Sequence, residues 1–88
     1  MKYTVLWTAT AEEDLARLWA EATDRDEITS AAHTLDVLLG EDPLRCGESR
    51  YSSLRVVHAA PLGVDVDVEQ DDRVVRVLRV WRFEQRRT

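Results

Sequence analysis

The stretch Leu62–Glu69 alternates strictly. Leu62, Val64, Val66 and Val68 fall at one parity; Asp65, Asp67 and Glu69 fall at the other. A period of two belongs to an extended chain, whose successive side chains point to opposite faces. The segment therefore reads as a strand with one buried and one solvated face. Gln70-Asp71-Asp72 supplies a tight turn. Arg73–Phe83, RVVRVLRVWRF, returns as a second strand with apolar residues at both parities. Such a strand is central in its sheet, or is covered on its second face.

The cover for the buried face comes from upstream. Thr10 with Glu13 fits a capping box, and Ala11, Leu15, Leu18, Trp19 and Ala22 follow at helical spacing. Asp24 and Glu27 can open a second helix, on which Ile28, Ala31, Ala32, Leu35, Leu38 and Leu39 form an apolar stripe. Gly40 is placed for a left-handed cap, and Pro43 stops any continuation. Residues 41–52 read as a loop. Leu54–Ala60 is a further strand, ended by Pro61, and residues 2–8, KYTVLWT, are an opening strand.

The predicted order is β-α-α-β-β-β, an α+β fold over residues 1–88 as one domain. A helical hairpin packs on one face of a small, mainly antiparallel sheet. The other face has no helix left to cover it. If Trp81 and Phe83 point to the helices, that open face carries Arg76 and Arg82 beside Val74, Leu78 and Val80, with Asp65 and Asp67 from the neighbouring strand as cross-strand partners.

Eighty-eight residues with a formal charge of −5 exclude several classes. No apolar run approaches the ~20 residues of a membrane span. MKYTVLWT lacks a signal-peptide core, and the lone Cys46 excludes an internal disulfide, so the expected location is cytoplasmic. The charge is uneven. Residues 1–44 carry three basic residues against ten acids, whereas residues 73–88 carry six Arg against Glu84 alone. An anion-binding surface should come from the C-terminal half.

No P-loop, dinucleotide fingerprint or H-E-x-x-H motif is present, and no cofactor or metal is expected. His33 lies beside the apolar stripe of the second helix and reads as structural. His58, in a strand with Arg55 three residues earlier, is a candidate base. Cys46 reads as a surface thiol and Ser52-Ser53 as loop polarity. Trp19 is expected in the core, with Trp7 and Trp81 at its edge or in an interface. Arg73, Arg76, Arg79 and Arg82 recur every three residues and so alternate faces in pairs. They can pair with nearby acids or form an anion site for phosphate or an acidic partner.

Order and motifs together resemble a RelE/ParE-superfamily toxin of a type II toxin–antitoxin module. Tyr3–Thr8 and Ala11–Leu15 look like the family's first strand and helix start. Leu39–Pro43 looks like its exit from the second helix, and Leu54–Val56, Val64–Glu69 and Val74–Phe83 look like its closing meander. The resemblance implies a cognate antitoxin that wraps the toxin as helix and strand. It also implies one of two actions: cleavage of mRNA in the ribosome, as in RelE-like members, or poisoning of DNA gyrase without cleavage, as in ParE-like members.

The nuclease pattern is incomplete here. Such nucleases usually begin the third strand with Arg, apolar residues and Tyr; this chain has Leu62-Gly63-Val64-Asp65-Val66-Asp67. No acid–base Tyr or His follows Val80. Arg55, His58, Arg79 and Arg82 are the catalytic carry-overs that remain. An Arg stabilises a phosphate transition state but is a poor base. A chain of net −5 also approaches a phosphate field only with its basic face leading. Three readings stay open: a gyrase-directed toxin, an mRNA endonuclease with an altered site, and a non-toxic interaction module. In each, Arg76, Leu78, Val80, Trp81, Arg82 and Phe83 are the partner-binding candidates, covered by a partner or by a second copy in a homodimer.

Overall fold

The computed structural model describes residues 2–83. Seven elements follow one another: β1 (Thr4–Trp7), α1 (Ala9–Glu21), α2 (Arg25–Glu41), β2 (Glu48–Tyr51), β3 (Leu54–Ala59), β4 (Leu62–Glu69) and β5 (Val74–Arg82). The strands form one sheet in the order β1-β5-β4-β3-β2. β1 runs parallel to β5, and all other neighbours are antiparallel. The helical hairpin covers one face, as the alternation in β4 requires. Leu62, Val64, Val66 and Val68 of β4 are buried with Val75 and Val77 of β5 against Ile28, Ala31, Leu35 and Leu39 of α2.

The start of α1 and the end of α2 differ in detail from the sequence reading, while Asp24 stands at the N-cap of α2 as expected. The cap of α1 is Thr8, whose Oγ accepts the Ala11 N–H at 3.2 Å and donates to the Val77 carbonyl at 2.9 Å. Thr10 lies inside the first turn. Thr8 is preferred because its hydroxyl satisfies a free helical N–H and ties the helix start to β5 at once. At the other end α2 runs through Gly40, which is not the cap. Asp42 takes that role, with its N–H on the Leu38 carbonyl at 3.1 Å, and Pro43 opens a single 3₁₀ turn to Arg45. The Gly40 carbonyl instead accepts Tyr3 N–H at 2.7 Å and holds the entry to β1.

Residues 41–52 contain a strand that the sequence reading leaves as loop. All four residues of β2 are exposed, and the strand is held to β3 by backbone pairing. Gly47 leads into it at φ +58°, where a Cβ would lie 1.9 Å from the Val56 carbonyl oxygen. Only glycine fits this approach.

β5 departs from strict alternation. Asp65 of β4 faces Arg79, yet the next residue, Val66, faces Val77, so Leu78 is an extra residue in a β-bulge. The bulge reverses parity along the strand. Val75 and Val77 point to the helices before it; Val80, 3% exposed, does so after it, opposite Val64. Val80 and Arg82 therefore stand on the helical side, and Trp81 stands on the open face, the reverse of the expected placement.

Candidate functional site

Asp14 is the one buried charged residue of the described chain, 2% exposed. It sits on α1 where that helix crosses β5. β1 pairs with β5 only as far as Val77, so the edge of β5 beyond it lacks a strand partner. Asp14 fills that place. Its Oδ2 accepts Val80 N–H at 3.0 Å and Arg79 Nε at 2.8 Å, while its Oδ1 accepts Arg79 Nη2 at 3.2 Å and Arg17 Nη2 at 3.3 Å. These donors, Arg79 first, hold the Asp14 carboxyl down at about 2 against the cost of burial.

The other arginines are also engaged internally. Arg82 makes a bidentate pair with Asp24, at 2.8 and 2.7 Å, which pins the α1–α2 turn and lowers the Asp24 pKa. Arg76 pairs with Glu69 at 2.7 Å, which lowers the Glu69 pKa; Glu69 in turn raises that of neighbouring Asp72. Arg55 shares the helical side with Val57 and donates to the carbonyls of Cys46 and Gly47 at 3.0 and 3.4 Å. The expected cross-strand pairs form in register only: Asp67 opposes Arg76 and Asp65 opposes Arg79, but both arginines reach past them to Glu69 and Asp14. Asp67 accepts a hydrogen bond from Ser53 instead.

His58 lies on the opposite face of β3 from Arg55. Its ring meets Phe83 at 5.0 Å and Trp81 at 6.2 Å between centroids, both edge-on. The row His58–Gly63–Trp81 crosses three strands in register, and the indole lies over Gly63, where a Cβ would approach it to 2.7 Å. The four catalytic candidates are thus not brought together. Arg55 and Arg82 lie on the helical side, Arg79 is bound at the sheet edge, and His58 packs against aromatic rings on the open face. Of the partner-binding candidates, Arg76, Trp81 and Phe83 share that open face, Leu78 occupies the half-buried bulge, and Val80 and Arg82 face the helices.

A second feature lies between the two helices and the outer edge of β1. Leu6, Trp7, Glu12, Leu15, Trp19 and His33 are among the residues lining an apolar groove of about 740 Å³. Trp19 is 44% exposed there, not in the core, with the Arg25 guanidinium 4.5 Å above its ring. Trp7 Nε1 donates to Asp36 at the rim, at 3.1 Å. His33 lines this groove. Cys46 is half-buried, not a plain surface thiol. Its Sγ donates to the Asp42 carbonyl at 3.2 Å, and burial, with Asp42 beside it, raises its pKa. Among the described residues no three His, Cys, Asp or Glu side chains group to hold a metal, and no helix is long and apolar enough to cross a membrane.

Sequence reasoning missed Asp14 and the groove. Asp14 follows Ala11 by three residues on the stripe side of α1, so an acid on an apolar stripe was the available signal.

Residues 5–87 match the family model described as the ParE toxin of the type II toxin–antitoxin system parDE. The chain belongs to the ParE toxin family. It is a toxin of a type II toxin–antitoxin system, within the RelE/ParE superfamily. Solved structures of toxin–antitoxin systems share the ParE-family fold seen here. The RelBE2 complex from Mycobacterium tuberculosis aligns at TM-score 0.77 and 23% identity, covering 93% of this chain and 99% of that one. The chromosomal ParDE system of P. aeruginosa aligns at 0.70 and 17%, covering 94% and 98%. The intact E. coli RelBE complex aligns at 0.59 and 15%, covering 94% and 99%. No curated protein matches the chain.

Proposed function

We propose that this ParE-family toxin arrests growth in the cytoplasm by binding a protein target, gyrase by analogy with ParE-like members, and breaks no bond itself. The observation that carries this reading is the dispersal of the catalytic candidates. Phosphodiester cleavage needs a base and a cation converging on one phosphate, with heavy atoms about 3 Å from the reacting groups. Arg79 and Arg82 are held by Asp14 and Asp24, and Arg55 lies across the sheet from His58. Asp65 and Asp67 add negative charge to the face that would meet RNA.

The antitoxin is the partner we assign to the groove between the helices. Its apolar lining suits the buried stripe of an amphipathic helix, and Glu12 and Asp36 among its lining residues favour basic side chains flanking that stripe. Regulated expression tests the reading. Induction alone should stop growth and switch on an SOS reporter, and co-expression of the cognate antitoxin should restore growth. Normal growth without antitoxin would sink the toxin reading and favour an interaction module.

A further inference from the structure

The open face of the sheet carries a second recognition surface, distinct from the helical groove. Its floor is built by Gly63. With no Cβ on the middle strand, the Trp81 indole folds over β4 toward His58, and Phe83 also packs edge-on with His58. Three rings thus form one platform spanning β3 to β5, on the face that no helix covers. Any side chain at position 63 would push the indole away, so the platform depends on that glycine.

Acids outnumber arginines beside the platform: Asp65, Asp67 and Glu69 of β4 stand against Arg76 and Arg79 of β5. Asp65 is two residues along β4 from Gly63 and on the same face, about 7 Å away along the strand. The row continues with Asp67 and Glu69. The two arginines of the same region are spoken for: Arg76 by Glu69, and Arg79 by Asp14 at the sheet edge. Asp67 is engaged by Ser53. Asp65 faces Arg79 and feels its charge, but the Arg79 guanidinium gives its hydrogen bonds to Asp14. Aromatic faces in a patch where carboxylates outnumber arginines attract a cation with an alkyl stem and disfavour phosphate.

We propose that the rings of His58, Trp81 and Phe83 together with Asp65 form a docking site for an arginine or lysine side chain on an exposed segment of a protein partner. The rings seat the stem and the cation, Asp65 supplies the counter-charge, and Trp81 Nε1 can donate to a carbonyl of the incoming segment. This inference rests on the binding reading of the toxin and names the face and the chemistry through which it binds.

The test is an NMR titration of the ¹⁵N-labelled full chain with three probes: acetyl-Gly-Arg-Gly-amide, the same peptide with citrulline for arginine, and hexauridylate. The arginine peptide should shift the Trp81 indole N–H and the Gly63 amide. Citrulline, equal in shape but uncharged, should bind about fivefold more weakly or worse, and Asp65→Asn should weaken the arginine peptide by a similar factor while Asp65→Glu retains it. Equal binding of the citrulline peptide overturns the proposal. So does an unchanged affinity in a folded Asp65→Asn variant, or movement of the same resonances by hexauridylate. If Asp65→Asn does not fold, the comparison of arginine with citrulline on the native chain decides alone. Transcript cutting in cells would sink the binding reading whatever the peptides do. Intact transcripts with unresponsive rings would sink this inference only.

Discussion

Removal of the Asp14 carboxylate tests the packing argument most sharply. Asp14→Ala deletes the acceptor of the Val80 N–H and of two arginines at a site 2% exposed. Leaving a buried N–H unpaired costs about 1–3 kcal/mol, and charge-assisted hydrogen bonds add about 1.5 kcal/mol or more. Arg79 is 59% exposed and returns to water, which limits its share of the loss. The expected destabilisation is about 2–4 kcal/mol, a fall in Tm of order 10 °C or more for a domain of this size. Asp14→Asn keeps one carbonyl oxygen for Val80 and should lose about half as much. The carboxyl also titrates. Its folded pKa of about 2 lies below the ordinary 3.8, so its stabilisation is complete above about pH 4 and is lost as pH falls toward 2. Urea unfolding at pH 7 and at pH 3 measures both effects. The acid-linked loss should shrink in Asp14→Asn. A loss below about 0.5 kcal/mol in Asp14→Ala, or equal losses in Ala and Asn, would refute the assignment of this carboxylate as the edge partner of β5.

Three further outcomes are expected. Gly47→Ala should cost about 3 kcal/mol or more, since its Cβ would lie 1.9 Å from Val56 O at a positive φ, and hydrogen exchange should show β2 released first. Trp19→Ala should leave growth arrest intact and change stability by about 1 kcal/mol, yet weaken antitoxin binding in a pull-down titration by tenfold or more, about 1.4 kcal/mol. Gly63→Val should displace the Trp81 indole, cost about 1–3 kcal/mol, and alter the near-ultraviolet circular dichroism.

The sequence made the fold legible wherever burial followed the period. Leu62–Glu69 matches β4 residue for residue, because each apolar position meets a helix and each acid meets solvent. The α2 stripe behaves alike at Ile28, Ala31, Leu35 and Leu39. β2 was invisible because an edge strand with four exposed side chains has no pattern to read, and its pairing is made by backbone. The bulge at Leu78 was invisible for a related reason. One extra residue reverses every face after it, so Val80, Trp81 and Arg82 were all assigned to the wrong side. The arginine spacing singled out the right residues without their partners. Arg79 and Arg82 find acids more than fifty residues away, at Asp14 and Asp24, which no local rule connects.

Mapping of transcript 5′ ends in cells arrested by the toxin addresses the central claim most directly. The account predicts arrest with no new ends within translated codons, and the same arrest with Arg82→Ala, whose side chain holds the α1–α2 turn. Discrete cuts within codons that vanish in a folded Arg82→Ala variant would contradict it.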